Sequence, residues 1–242
     1  MAAIGGTWHA KATGGYLRDS TEAIDNVQQL ATVFNANGWS AKSIAAFLGN
    51  GAGESGLNPW RWESDYIPTM AEYKSWSSNE SLSHGYGLVQ FTPASKYIEN
   101  AKSLQGYGPN FSNSTGRVTD GNAQALYLVD TIPDSWGSGL HDYYADDFAS
   151  IGINIDDFYG MTFDEFKAGN DTIENLVGAF ELKYERPGDS AAASSYAGRV
   201  SNAKYWEGVL KTLGFITLYP YMICRRTGGN NGFIRQKRIF RR

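Results

Sequence analysis

The stretch LGNGAGESGLNP, residues 48–59, carries a helix-like apolar run into three glycines and leaves one carboxylate, Glu54, at its end. Glu54 follows Phe47 by two helical turns, so it projects from the buried stripe of that helix rather than from its wet face. Partial burial disfavours the charged carboxylate, and a helix C-terminus adds partial negative charge, so both effects favour the protonated form. A carboxylic acid that keeps its proton can protonate a leaving oxygen, the general-acid step of glycoside hydrolysis. Gly49, Gly51 and Gly53 carry no side chain, which would let a bulky polymer approach the backbone closely. About thirty residues downstream, GYGLVQFTP supplies an amide, Gln90, at the end of a Gly-rich turn, where it can hydrogen-bond a sugar. Trp60, Trp62, Tyr86 and Phe91 flank these two stretches. Flat apolar rings with polar edges suit pyranose stacking. Ser55 is placed to orient Glu54 or to bond locally at the helix end.

The elements around these residues read as helices. Residues 20–37 open on the capping candidates Ser20 and Thr21, repeat Ile24, Val27, Leu30 and Phe34, and stop at Asn37-Gly38. A second helix begins at Ser40, with Ile44, Phe47 and Leu48 on one stripe, and its glycines predict fraying around Glu54. Residues 60–92 mix aromatics, serine and glycine as an irregular lobe or small hairpin would. Short helical patterns follow at 94–103 and 121–131, then at 172–184, where Ile173, Leu176, Phe180 and Tyr184 keep helical spacing, and near 199–213. The expected fold is α+β and mainly helical, a single domain over 20–214 with an N-terminal arm at 1–19.

Composition narrows the function classes. Of 242 residues, 42% are hydrophobic, enough for a sizeable core, and no run reaches the roughly 18 apolar residues of a membrane span. The first twenty residues lack the basic start and apolar core of a secretory signal. The single Cys224 excludes an internal disulfide framework, and its distance in sequence from His9, His84 and His141 gives a cysteine peptidase little support. Asp142, Asp146, Asp147, Asp156 and Asp157 lack EF-hand spacing and read as a solvated face, and the proposed chemistry needs neither metal nor cofactor. Residues 208–242 carry a charge of +8 and the remainder −12. The basic segment 215–242 therefore reads as a tail that docks on an acidic partner or begins a further module; as a nucleic-acid signal it is weak.

Four blocks in order carry a family resemblance: NGWSAKSIAAFLGNGAGESGLNPWRW, GYGLVQFTPASKYI, MTFDEFKAGNDTIENLVGAFELKYERP and AKYW. Glu54-Ser55 followed by Gly-Leu-Val-Gln resembles the ES…GLMQ pattern of goose-type lysozymes and lytic transglycosylases. The four blocks together resemble the tail-tip lysozyme domains of bacteriophages of Gram-positive hosts. The resemblance implies a lysozyme-like fold with a small β or irregular lobe, and cleavage of peptidoglycan glycan strands by a virion protein at the tail tip. By matching position it makes Glu54 the general acid and Gln90 a sugar ligand, and it puts Tyr184 near the acid. A water-activating carboxylate is expected among Glu63, Asp65 and Glu72, with Asp65 preferred. Alternatives are a lytic transglycosylase, which would use Glu54 as acid and then base, and a non-catalytic wall-binding tail module in which Glu54 would be dispensable.

Overall fold

Ser20 starts the first helix by accepting the Ala23 N–H on its hydroxyl, and Gly38, with φ +83°, turns the chain after Asn37. In the computed structural model, residues 7–77, 84–113, 118–137, 141–187 and 191–215 are described. Their helices run α1 (Thr21–Ala36), α2 (Ala41–Ser55), α3 (Met70–Ser77), α4 (Ser95–Ile98), α5 (Gly121–Ser135), α6 (His141–Ser150), α7 (Asp156–Tyr159), α8 (Phe163–Ala168), α9 (Ile173–Phe180) and α10 (Ala191–Thr212). A 3-10 turn spans Glu63–Asp65, and a π turn, Glu181–Glu185, extends α9. The protein is mainly helical, as its periodicity implies. The basic segment beyond residue 215, with Cys224, lies outside the described residues, as do residues 1–6 of the arm.

The helix α2 is the axis of the fold, with α10 laid along it and α9 and α1 on its other sides. Phe34, Trp39, Phe47, Phe166 and Phe180 are buried around it. The Phe34–Phe47 centroids lie 4.9 Å apart and Phe47–Phe180 5.4 Å, tilted and edge-on as aromatic quadrupoles prefer. The expected fraying at the glycines does not occur: α2 continues through all three to Ser55. Gly49 explains why. A Cβ there would sit 2.6 Å from the Arg199 carbonyl oxygen and 2.7 Å from the Ala203 methyl, so the missing side chain is the contact surface for α10. Tertiary packing overrides the weak helix propensity of glycine.

Between α2 and α5 lies the lobe, with α3, α4 and two isolated antiparallel bridges, Trp62 to Tyr86 and Tyr86 to Phe91. It is irregular and aromatic-cored. Trp62 and Tyr86 are 1% and 0% exposed with centroids 4.5 Å apart. The Trp62 Nε1–H donates to Asn110 O at 2.7 Å. The Tyr86 hydroxyl donates to the carboxylate of Asp120, 3.1 Å away, and accepts from Asn110 N–H at 3.0 Å. The arm crosses beneath the end of α2, where Asn58 pairs with Lys11 in both directions and also bonds Gly14 O. Four helices, α3, α6, α7 and α8, escape the periodicity reading because they are short, and α10 starts well before residue 199. The aspartates at 142, 146, 147, 156 and 157 lie on α6 and α7.

Asp120 is fully buried, and burial pushes its carboxyl up to about 7. A carboxyl raised in the folded state stabilises the fold below its unfolded value, and that contribution is lost as pH rises through the folded value. Asp120→Asn, which keeps an acceptor for Tyr86, should therefore gain on wild type by on the order of 3 kcal/mol between pH 4 and pH 8. Urea unfolding of both proteins at the two pH values measures the difference.

Candidate active site

Glu54 occupies the last turn of α2 with its side chain 30% exposed, two turns beyond the fully buried Phe47. One guanidinium holds it. Arg199 on α10 places Nη2 3.0 Å from Glu54 Oε1 and Nη1 3.0 Å from Asn50 Oδ1. Its Nε lies 3.0 Å from Glu181 Oε1, and Ser195 Oγ also bonds both Nε and Glu181. The close approach at Gly49 makes this possible, because it brings the backbone of Arg199 against α2 one to two turns before the acid.

A cleft of about 750 Å³ opens in front of Glu54. Val89, Gln90 and Phe91 of the GLVQ stretch line it with Glu63 and Arg61, as do Tyr184, Glu185 and Arg186 of the π turn and its end, and Asp134 of α5. Two bonds hold the GLVQ loop in place. The Ser55 hydroxyl donates to Leu88 O at 2.8 Å, and the Leu88 N–H donates to Gln124 Oε1 at 2.8 Å. Ser55 thus ties the two sequence motifs together rather than orienting Glu54. The Gln90 backbone has φ +49°, and its side-chain amide nitrogen donates to Arg61 O and Gly87 O. That fixes the amide and leaves Oε1 as the group able to accept a bond from a ligand.

The structure brings Glu54, Gln90, Phe91 and Tyr184 to one cleft. Tyr184 also packs on Phe180, with centroids 4.9 Å apart, so core and cleft positions coincide there. Trp62 and Tyr86 do not join them: as core rings of the lobe they present no face to a sugar. Trp60 is turned toward the loop at 108, where its indole N–H donates to Gly108 O. Asp65 is not among the cleft-lining residues. Its carboxylate accepts from Gly14 N–H at 2.7 Å and faces Arg61 Nε at 3.3 Å, clamping the arm to the lobe. Glu72 caps α3 through Thr69 N–H and binds the Tyr66 hydroxyl, bonds that hold its carboxyl below the usual range. Glu63, whose Oε2 accepts from Gly85 N–H, is the member of that segment that reaches the cleft.

Sequence reasoning missed Arg199, Glu181 and Glu185. Their local signals are weak, since Arg199 sits in an ordinary polar stretch of helix and the two glutamates in ELKYERP look like a solvated i,i+4 pair. The π turn changes that geometry. Arg186 N–H bonds Glu181 O at 2.8 Å, and the widened turn faces both glutamates inward toward Arg199. Burial pushes Glu181 up to about 7 against the lowering effect of Arg199. Burial, then the charge of Glu54, pushes Glu185 up to about 8. Among the described residues no group of His, Cys, Asp and Glu is arranged to hold a metal ion, and no helix is long and apolar enough to cross a membrane.

A helical body, an irregular lobe and an acid at the helix end between them define a lysozyme-like protein. The chain belongs to the phage tail lysozyme family, whose model matches residues 25–210. It is also 27% identical over 220 residues to Morphogenesis protein 1 of Bacillus phage B103, covering 89% of this chain and 48% of that protein. The chain thus spans about half the length of that relative.

Replacing Arg199 by alanine would strand Glu181, which is 0% exposed, without its cation. Arg199 lowers the Glu181 carboxyl, so without it Glu181 is pushed above its wild-type value of about 7. A loss on the order of 3 kcal/mol is expected at pH 8, where wild type keeps the paired carboxylate, and much of it should be recovered by pH 5, where Glu181 is protonated in both proteins. Thermal unfolding of Arg199→Ala and wild type at both pH values tests this.

Proposed function

We propose that the protein is a peptidoglycan hydrolase of the phage tail tip that cuts the glycan strand of a Gram-positive wall during genome delivery, with Glu54 as the general acid. The observation that carries this reading is the position of Glu54 in a family of phage tail lysozymes: partly exposed at the end of α2, lining a cleft of about 750 Å³. Gln90, fixed by two backbone carbonyls, offers its oxygen to a sugar hydroxyl or N-acetyl N–H, and Phe91 and Tyr184 supply apolar surface beside it. Glu63, across the cleft and largely solvated, is better placed than Asp65 to direct a water, since Asp65 is occupied by Gly14 and Arg61. Tail proteins of the virion are the partners this reading requires, and the basic segment beyond residue 215 is its candidate attachment.

In zymograms on host walls, Glu54→Gln should lose two to four powers of ten in activity, the usual contribution of a general acid, while keeping its fold. Retention of more than about a tenth of wild-type clearing would remove Glu54 from the mechanism and favour a wall-binding module. Mass analysis of the digested glycan separates hydrolysis, which leaves a reducing end, from transglycosylation, whose product is one water lighter. Gln90→Ala should weaken turnover partially, by the equivalent of one or two hydrogen bonds at roughly 1 kcal/mol each, and should lower stability modestly because the bonds to Arg61 O and Gly87 O are lost. Steady-state rates on purified peptidoglycan measure it.

A further inference from the structure

A general acid must carry a proton, and the guanidinium 3.0 Å from Glu54 is shared with other carboxyl groups. One cation faces three carboxyl groups: Glu54 from α2, and Glu181 and Glu185 from the π turn. Glu181 takes the shared side of the guanidinium at Nε. Glu185 lines the cleft with Glu54, and its Oε1 is enclosed without a hydrogen-bond partner among the described residues. The other charged or titratable groups lining the cleft are Arg61, Glu63, Lys96, Asp134, Tyr184 and Arg186, the last bonded to Ser135 O and Lys183 O. With Glu54, Glu181 and Glu185 all ionised, the Arg199 guanidinium they share would balance one charge of the three.

We propose that Glu185 is a positioning residue that holds one proton jointly with Glu54, so that Glu54 can deliver it to the leaving oxygen at neutral pH. Like charges confined together cannot both ionise freely, and the proton that stays belongs to the pair rather than to either member. The direction in which burial and Glu54 push Glu185 agrees with this. When the glycosidic C–O bond breaks, the leaving oxygen takes the Glu54 proton, a water oxygen bonds to the anomeric carbon, and the proton that water sheds returns through solvent to the pair. The π turn serves the arrangement by facing Glu181 and Glu185 to the same side.

This inference rests on Glu54 being the general acid, and the two can fail separately. Activity surviving in Glu54→Gln sinks the parent reading. The inference itself is tested by pH profiles of kcat/KM for wild type and Glu185→Gln on purified peptidoglycan. In Glu185→Gln the alkaline limb should move to lower pH by about one unit or more, with a several-fold loss at pH 7 and little loss at the acid end. A folded Glu185→Gln protein whose alkaline limb coincides with wild type overturns the proposal, as does one inactive at every pH, which would make Glu185 the donor itself. Should Glu185→Gln fail to fold, carbon-13 titration of the glutamate carboxyls in wild type and Glu54→Gln reads the same coupling. The resonance that titrates highest in wild type is expected to move to lower pH in Glu54→Gln. Its staying in place overturns the shared proton.

Discussion

The guanidinium of Arg199 is the interaction on which the site depends. It is 11% exposed and joins α10 to α2 through Asn50 and Glu54, and to the π turn through Glu181. Buried ion pairs recover their desolvation cost only when the remaining donors and acceptors are satisfied, and here four side chains share the guanidinium donors. The network can form only because α2 and α10 approach to backbone contact at Gly49. A glycine that looks like a weak point of a helix is therefore what sets the position of the acid one and a half turns later.

The GLVQ loop is governed by a second layer of buried polar groups. Gln124 bonds both Leu88 N–H and Pro59 O from α5, and Ser55 reaches Leu88 O from the end of α2. Each bond satisfies a backbone group that the irregular lobe cannot pair within a sheet. The lobe thus keeps a definite shape with only isolated bridges between its segments. Most of its aromatic residues fill the interior, and the rings that line the cleft are Phe91 from the lobe and Tyr184 from the π turn.

What was legible in the sequence follows from the range of the forces involved. The caps and periodicity of α1 and α2 are local, and both helices stand where Ser20 and Ser40 place their starts. The half-buried setting of Glu54 follows from its register with Phe47. Trp62 and Tyr86 show the limit: an aromatic suited to a sugar is equally suited to a core, and only the tertiary path of the lobe decides between them. Arg199 lies 145 residues from Glu54, and Ser55 meets Leu88 across 33, so no local pattern announces either partner. The sequence of its segment alone favours Asp65 as the second acid, but its φ of +57° and its bond to Gly14 turn it to the arm.

The π turn at Glu181–Glu185 amounts to one residue more than a regular helix would place there. Its existence makes the wall of the cleft sensitive to chain length as well as to chemistry. Excising a single residue between Phe180 and Arg186 would let the segment relax into an ordinary helix and rotate everything after the cut by about 100°. Glu185 would swing off the cleft wall, and the left-handed Arg186 that locks the turn to Ser135 would lose its seat. In this protein the facing wall is defined by a count as well as by its side chains, and a frame-preserving deletion there would displace Glu185 and Arg186 together.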